Sequence, residues 1–569
     1  MRRDDLLSYL PGLTLALFLA PVVAGVIGTW LPAFGYFPTL GGHEFTLAPW
    51  LALFAQPGLA ESLRLTLVSG FLATFIAFWL TVAFLAACHG SRLVLALRAL
   101  MTPLIAVPHA AIALGLAFLI APSGWLVRLV SPWATGWELP PDVATVQDPH
   151  GLALTLGLIV KELPFLLFMT LAALGQVRAE ERLAVARSLG YGPVTAWMKA
   201  VLPAVYRQIR LPVYAVLAYA LSVVDMALIL APLTPPPLAV QVLRWFNDPD
   251  LTLRFVAAAG ASLQLLVVAG GIALWRLGEI AAGLAGRAWI AGGGRGGSGR
   301  LLRALTAGLM QGLVALAAAG LVALALWSVA RHWRYPEAWP GAFSLDTWAR
   351  QAPEVLATAA TTLGVGIAAA AIALLLVLGC LENEQRRGLS LSNRALWLLY
   401  LPLLVPQVAF LFGTQVLAIR AGIDATWLAL VWSHLLFVLP YVFLTLGDPY
   451  RALDDRYVRA ALCLGARPNR VFWQVKLPML LRPILFALAV GFAVSVTQYL
   501  PTLFAGGGRF VTLTTEAVGL AAGGDRRVIG VYAFLQALLP LLAFAAALAL
   551  PRWLAGARAP RPATRVPAA

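Results

Sequence analysis

Apolar runs of about 20 residues recur along the whole chain, separated by short polar stretches, and none of them alternates with a period of two. Such a run matches the bilayer's hydrocarbon core of roughly 30 Å, where only helices or closed barrels satisfy the backbone. The lack of strand-like alternation selects helices. The pattern predicts an all-α membrane protein with twelve spans, at 10–32, 64–88, 99–121, 151–175, 211–233, 254–277, 304–329, 355–380, 395–418, 425–448, 482–505 and 528–551. The start, Met1-Arg2-Arg3 followed by an apolar run of about 22 residues, is longer than a signal-peptide core and reads as an uncleaved anchor.

Between the fourth and fifth predicted spans lies Ala184–Pro203 (AVARSLGYGPVTAWMKAVLP). It returns 275 positions later, between the tenth and eleventh, as Arg459–Pro478 (RAALCLGARPNRVFWQVKLP). Six positions are identical: Ala186/Ala461, Leu189/Leu464, Gly190/Gly465, Pro193/Pro468, Leu202/Leu477 and Pro203/Pro478. Each copy has a Gly suited to a left-handed helix end, then a Pro suited to the first turn of a new helix. The short helix that follows carries aromatics (Trp197; Phe472, Trp473) and bases (Lys199; Arg470, Lys476) and stops at Leu-Pro. A helix–turn–short-helix lying along the membrane face is predicted twice. An amphipathic helix held by anionic lipid is the plainer reading of one copy; duplication at equivalent places favours two equivalent partners on one side of the membrane.

Other echoes divide the chain into two six-span halves, 1–277 and 304–552, joined by a linker at 278–303 and followed by a basic tail at 553–569. Leu163-Pro164-Phe165 matches Leu439-Pro440-Tyr441, Leu221–Asp225 matches Val494–Gln498, and Val107-Pro108-His109 resembles Val405-Pro406-Gln407. Six spans per half make the repeats parallel, with the solute path expected at their interface. The linker's Ala291–Arg300 (AGGGRGGSGR) is Gly-rich and expected to be flexible. It is no phosphate loop, because no Gly-Lys-Ser/Thr follows it.

Composition narrows the class. The chain of 569 residues is 61% hydrophobic and only 12% charged, with a mean hydropathy of +0.85. Its net charge of +16 reflects topology: with the N-terminus inside, most Lys and Arg fall on the cytoplasmic side. Both termini are then cytoplasmic, and no solvated basic domain remains for nucleic acid. Cys88, Cys380 and Cys463 show neither a disulfide framework nor metal-ligand spacing. No metal site is expected.

The Gly–(nine residues)–hydrophobic–x–Leu-Pro spacing resembles the EAA loop of binding-protein-dependent ABC import permeases. The fused two-by-six arrangement is similar to the subgroup handling iron(III), thiamine, polyamines and sulfate, nearest a thiamine-type or uncharacterised member. The resemblance implies a bacterial inner-membrane permease without its own ATP site or cofactor, served by a cytoplasmic ATPase dimer and an extracytoplasmic solute-binding protein. By that resemblance Ala186, Gly190, Pro193, Trp197, Leu202 and Pro203, with Ala461, Gly465, Pro468, Phe472, Leu477 and Pro478, couple the ATPases to the membrane spans. The family's Glu is Ala184 in one copy and Arg459 in the other. Glu180 and Asp455 precede the loops at equal offset and either stand in for it or start a helix favourably.

Ionisable and polar residues within spans are the candidates for the solute path: Lys161, Glu162, Asp225 and Gln498. Lys161 and Glu162 point about 100° apart on a helix, so each needs its own partner. Pro164 frees the carbonyl of Val160 to offer one. Bracing between helices and lining of a path both fit these residues, while His109 and His434 read as packing or helix–helix hydrogen bonding. A secondary carrier would need no ATPase and would show ion sites in broken helices. A membrane-embedded enzyme would want convergent acids, His or a nucleophile, and Glu138, Asp142 and Asp148 in the longest outer segment form no motif.

Overall fold

Helices occupy every long apolar run in the computed structural model, which describes residues 3–389 and 393–556. Residues 557–569 of the expected basic tail lie outside the described residues. Among the described residues, nine helices are long and apolar enough to cross a membrane. A tenth is added if the pair Pro468–Met479 and Leu481–Val496, bent by 74°, counts as one span.

The shortfall of three from twelve expected spans has a local cause, four helix breaks, one of which still leaves a span-length helix at His109–Val130. Four predicted spans are broken: Arg92–Ala106 from His109–Ile120, Leu202–Ser222 from Asp225–Leu230, Asn393–Leu404 from Leu411–Arg420, and Leu481–Val496 from Leu500–Gly506. At two breaks Val precedes Pro, which disfavours helical backbone and removes a donor. Val107 (φ −69°, ψ 129°) and Pro108 (φ −58°, ψ 148°) are extended, as is Pro406 (φ −54°, ψ 133°). Val223 is extended without a proline (φ −62°, ψ 137°). At the fourth break, the Thr497 hydroxyl (2.7 Å) and the Gln498 amide (3.0 Å) donate to the Val494 carbonyl, competing with the backbone.

A helix that ends inside the apolar body of the protein leaves carbonyls without helical partners, so side chains serve them. Lys161 Nζ donates to the carbonyls of Leu104 (3.3 Å), Ile105 (3.1 Å) and Val107 (2.6 Å). Gln264 Nε2 donates to Leu221 at 2.9 Å. The Thr514 hydroxyl donates to Val496, and Gln536 supports Thr514 at 2.8 Å. The sequence hides this arrangement, because each donor comes from a different helix.

Packing crosses the middle of the chain. The first helix, Arg3–Ala33, lies against Leu411–Arg420, Asp346–Arg386 and Leu253–Ala291; Arg300–Val329 lies in like manner against His109–Ile120, Leu59–Cys88 and Arg526–Gly556. Close backbone approach makes the second of these possible: a Cβ on Gly115 would sit 2.9 Å from the backbone of Gly320. Small residues bring membrane helices together in this way.

The linker differs from expectation. Helix Leu253–Ala291 runs through its first half and Arg300–Val329 begins within its end, so only 292–299 is non-helical. Ala, Leu, Arg and Glu at 277–291 favour helix strongly enough to carry isolated glycines. The non-helical piece is not a free tether either. Gly192 N–H donates to the Arg295 carbonyl at 2.8 Å. Lys199 Nζ donates to the carbonyls of Trp289 (3.1 Å) and Gly294 (2.9 Å).

At the opposite end, strands Ala330–His332 and Ala342–Phe343 form a small antiparallel hairpin. Buried Arg128 stands over the rings of Trp327, Trp333 and Tyr335 at 5.2–5.7 Å. It also donates to the Arg334 carbonyl at 2.7 Å. Of the tryptophans there, Trp125 and Trp333 are buried while Trp133, Trp137 and Trp339 stay exposed.

Candidate functional site: a cavity at the helix breaks and two basal loops

All four helix breaks meet at one cavity of about 250 Å³. Its wall takes Ile105, Ala106 and His109 from the first break and Val223–Asp225 from the second. Leu403, Val405 and Gln407 come from the third and Thr497–Leu500 from the fourth. Irregular backbone at membrane depth is tolerated where it lines such a space. Lys161, Glu162, Asp225 and Gln498, far apart in sequence, all line it.

Each of the four is held differently. Lys161 spends its ammonium on the three carbonyls ending helix Arg92–Ala106, so the Val160 carbonyl is not its partner. Glu162 Oε1 lies 3.3 Å from His109 Nε2. Asp225 opens helix Asp225–Leu230, and its Oδ1 accepts from the Tyr219 hydroxyl at 3.2 Å. The Gln498 amide nitrogen donates to Val494, and its Oε1 has no hydrogen-bond partner among the described residues.

The helix–helix hydrogen bond expected of His109 is made to Glu162. Its ring also lines the cavity, 4.6 Å from that of Tyr219. The resemblance of Val107-Pro108-His109 to Val405-Pro406-Gln407 was the available signal, since both triplets mark breaks. His434 is a packing residue, buried and bonded to Ser495 Oγ (2.7 Å) and Thr502 Oγ1 (2.9 Å). Tyr219, Tyr441, Tyr499 and Phe437 also line the cavity; Tyr441 stood in the Leu439-Pro440-Tyr441 echo, while the other three gave no sequence signal of a cavity.

The two repeated segments form loops of one design. The first runs helix Ala179–Ser188, Gly190 at φ +80°, helix Pro193–Ala196, then a π-helical turn Trp197–Val201 leading into Leu202–Ser222. The second runs helix Asp455–Cys463, Gly465 at φ +82°, helix Pro468–Val471, then a π-helical turn Phe472–Lys476 before Leu477-Pro478. Both glycines hold a left-handed conformation that costs other residues about 1–2 kcal/mol. In each loop the Pro sits at the first helical position, where its missing N–H is harmless.

Glu180 and Asp455 share a further role: each ties its loop to the end of another helix. Glu180 Oε1 lies 2.9 Å from Nε2 of His89, just after Leu59–Cys88. Asp455 Oδ1 accepts from Gln385 Nε2 at 2.8 Å, near the end of Asp346–Arg386.

Comparison with known proteins places the chain in a family. A family model described as "binding-protein-dependent transport system inner membrane component" matches residues 376–561. The inner membrane ABC transporter permease protein YnjC of Escherichia coli (strain K12) is 33% identical over 520 residues, covering 90% of this chain and 93% of that protein. The molybdenum transport system permease protein ModB of Mycobacterium bovis is 33% identical over 214 residues, 35% of this chain and 78% of that protein. The putrescine transport system permease protein PotI of Escherichia coli (strain K12) is 29% identical over 128 residues, 21% and 46%. Broken helices alone would also suit a secondary carrier; the relatives decide between the two. This multi-pass chain belongs to the family of inner-membrane permease subunits of binding-protein-dependent ABC importers.

Proposed function

We propose that the chain is a fused permease of two parallel halves, 1–277 and 304–552, with twelve membrane crossings, four of them broken at the cavity. The reciprocal packing of Arg3–Ala33 and Arg300–Val329 across the molecule supports two related halves. Each loop receives one subunit of a separate ATPase dimer, which supplies the ATP chemistry. A solute-binding protein docks at the hairpin end, where an open basin of about 590 Å³ is lined by Arg331, His332, Asp346, Arg350 and Arg527. Solute passes through the cavity as nucleotide-driven closure of the ATPases rocks the halves by alternating access. Lys161, Glu162, Asp225 and Gln498 line that path. The twelve coupling residues, from Ala186 to Pro203 and from Ala461 to Pro478, transmit the motion through the loops.

The observation that carries this reading is the pair of like-built loops, each with a left-handed Gly, a short helix and a π-helical turn. Both termini and both loops then face the cytoplasm. Cys463 gives a direct test, being exposed on the second loop while Cys88 is buried. In a Cys380→Ser chain, a membrane-impermeant maleimide should label Cys463 in inverted vesicles and not in intact spheroplasts. Labelling from the outside would reverse the orientation and remove the docking assignment.

A further inference from the structure

We propose that the cavity at the four helix breaks selects a small organic cation bearing N–H donors and an apolar or aromatic body. This rests on the reading of that cavity as part of the solute path and adds what it recognises there.

The argument is a count of donors and acceptors. Among the described residues Lys161 is the one ammonium in the wall, and its three N–H groups match the three carbonyls it serves. It has no donor left for an anion. Two carboxylates, Glu162 and Asp225, stand against that single positive charge, so the wall is formally anionic. Gln498 adds an independent sign. It is only 8% exposed, and its Oε1 lacks a partner among the described residues. Its amide nitrogen bonds the Val494 carbonyl, which fixes the oxygen as the free end. An acceptor left unmet in so dry a place calls for a donor supplied by a ligand.

Shape and lining narrow the class further. A cavity of about 250 Å³ admits a small organic molecule and is too large for a dehydrated metal ion. Tyr219, Tyr441, Tyr499 and Phe437 supply π-systems that attract ammonium and heteroaromatic cations. An oxyanion would meet two like charges, with tyrosine hydroxyls and His109 as its remaining donors.

The test uses the full chain in nanodiscs, with spermidine, choline and thiamine as cationic probes and molybdate and sulfate as anionic ones. Saturable binding of at least one cation, and of neither oxyanion, is expected by radioligand titration. Asp225→Asn should weaken that binding by about tenfold or more, as loss of a charged hydrogen-bond partner does. Gln498→Glu, which adds a carboxylate at the unmet acceptor, should tighten it, and Gln498→Leu should weaken it. Elution of each variant as a monodisperse species separates loss of the site from loss of the fold. Binding of an oxyanion, binding of no cation, or indifference to all three substitutions overturns the cation assignment. Stimulation of the partner ATPase by the wild-type chain is measured in parallel. If it persists while no cation binds, the permease reading stands and the cation fails; if it is missing, the coupling reading fails as well.

Discussion

The two basal loops share a backbone plan and differ in what holds them. The first is seated by apolar burial: Trp197 is fully buried and Val201 beside it is equally enclosed. It is also covered, since the linker lies across it through Gly192, Lys199 and Arg295. The second is seated by charge. Lys476, at the position matching Val201, forms an ion pair with Glu382 at 2.7 Å, both side chains 4% exposed. Arg386 (2.6 Å) and the Tyr450 hydroxyl complete that cluster. Above it the second loop is bare: Leu464 is 89% and Trp473 66% exposed, and nothing lies within 4 Å of a Cβ placed on Gly465. One backbone design can thus be anchored by two unrelated chemistries and left covered in one copy and open in the other.

The strongest way to break this comparison is to truncate an aromatic in each loop. Trp197→Ala empties a fully buried site and should cost about 3–5 kcal/mol, whereas Trp473→Ala on an exposed site should stay within about 0.5 kcal/mol. Thermal unfolding of the purified chain reads both. If the second loop is a docking surface, Trp473→Ala should still reduce co-purification of the ATPase subunit despite its normal stability. Equal melting temperatures for the two variants would abolish the distinction between a seated and a bare face.

Next in size is the charge anchor. Lys476→Met leaves Glu382 buried with Arg386 and Tyr450 but without its ammonium. The loss should approach about 3 kcal/mol, the lower end for breaking a buried pair. Pairing it with Glu382→Gln should recover part of that loss, because the amide oxygen still accepts from Arg386 or Tyr450 while the buried negative charge is gone. In the first loop Val201→Lys should fail outright, since its ammonium would be buried without a partner. A tolerated Val201→Lys would mean the first site is wetter than its packing implies.

Much of this contrast is invisible in the sequence. The loops themselves were legible, because glycine and proline report backbone conformation directly: Gly190 and Gly465 sit at φ +80° and +82°, where their spacing placed a turn. Anchoring was not, because Lys476 reads as one base among many until Glu382 is brought to it from another helix. The cavity follows the same rule. Lys161, Glu162, Asp225 and Gln498 stood out as polar groups in apolar runs, but the breaks that gather them were read through as continuous helix. Val-Pro at 107–108 and 405–406 carried that signal locally. The break at 223–224 carried none, because Val223 and Val224 are ordinary membrane-helix residues. His109 makes the helix–helix bond expected of it, but its place at the cavity shows only through what faces it, here Glu162 and Tyr219.

The hinge glycines sharpen the likeness where the anchors sharpen the difference. Gly190→Ala and Gly465→Ala both place a side chain at a left-handed position and should each cost about 1–2 kcal/mol. Near-equal melting shifts are expected, although the first loop is covered by Arg295, 3.4 Å from a Cβ on Gly190, and the second is open. Gly465→Val adds a β-branch and should separate ATP hydrolysis from uptake while the chain still inserts. Uptake unchanged in that variant would take the coupling role away from the second loop.

The smallest expected effect isolates the cover over the first loop. Lys199→Ala removes two hydrogen bonds to the linker and the contact of its ammonium with the Trp289 ring at 4.6 Å. Such an exposed cation–π contact is worth about 0.5–1 kcal/mol, so the melting temperature should barely move. The linker, however, loses much of what holds it to the loop. Trypsin cleavage at Arg295 should therefore accelerate in Lys199→Ala and slow again when an ATPase subunit binds beneath. If ATPase binding leaves cleavage at Arg295 unchanged, the partner does not reach the linker, and the first loop must offer it a surface that this cover leaves free.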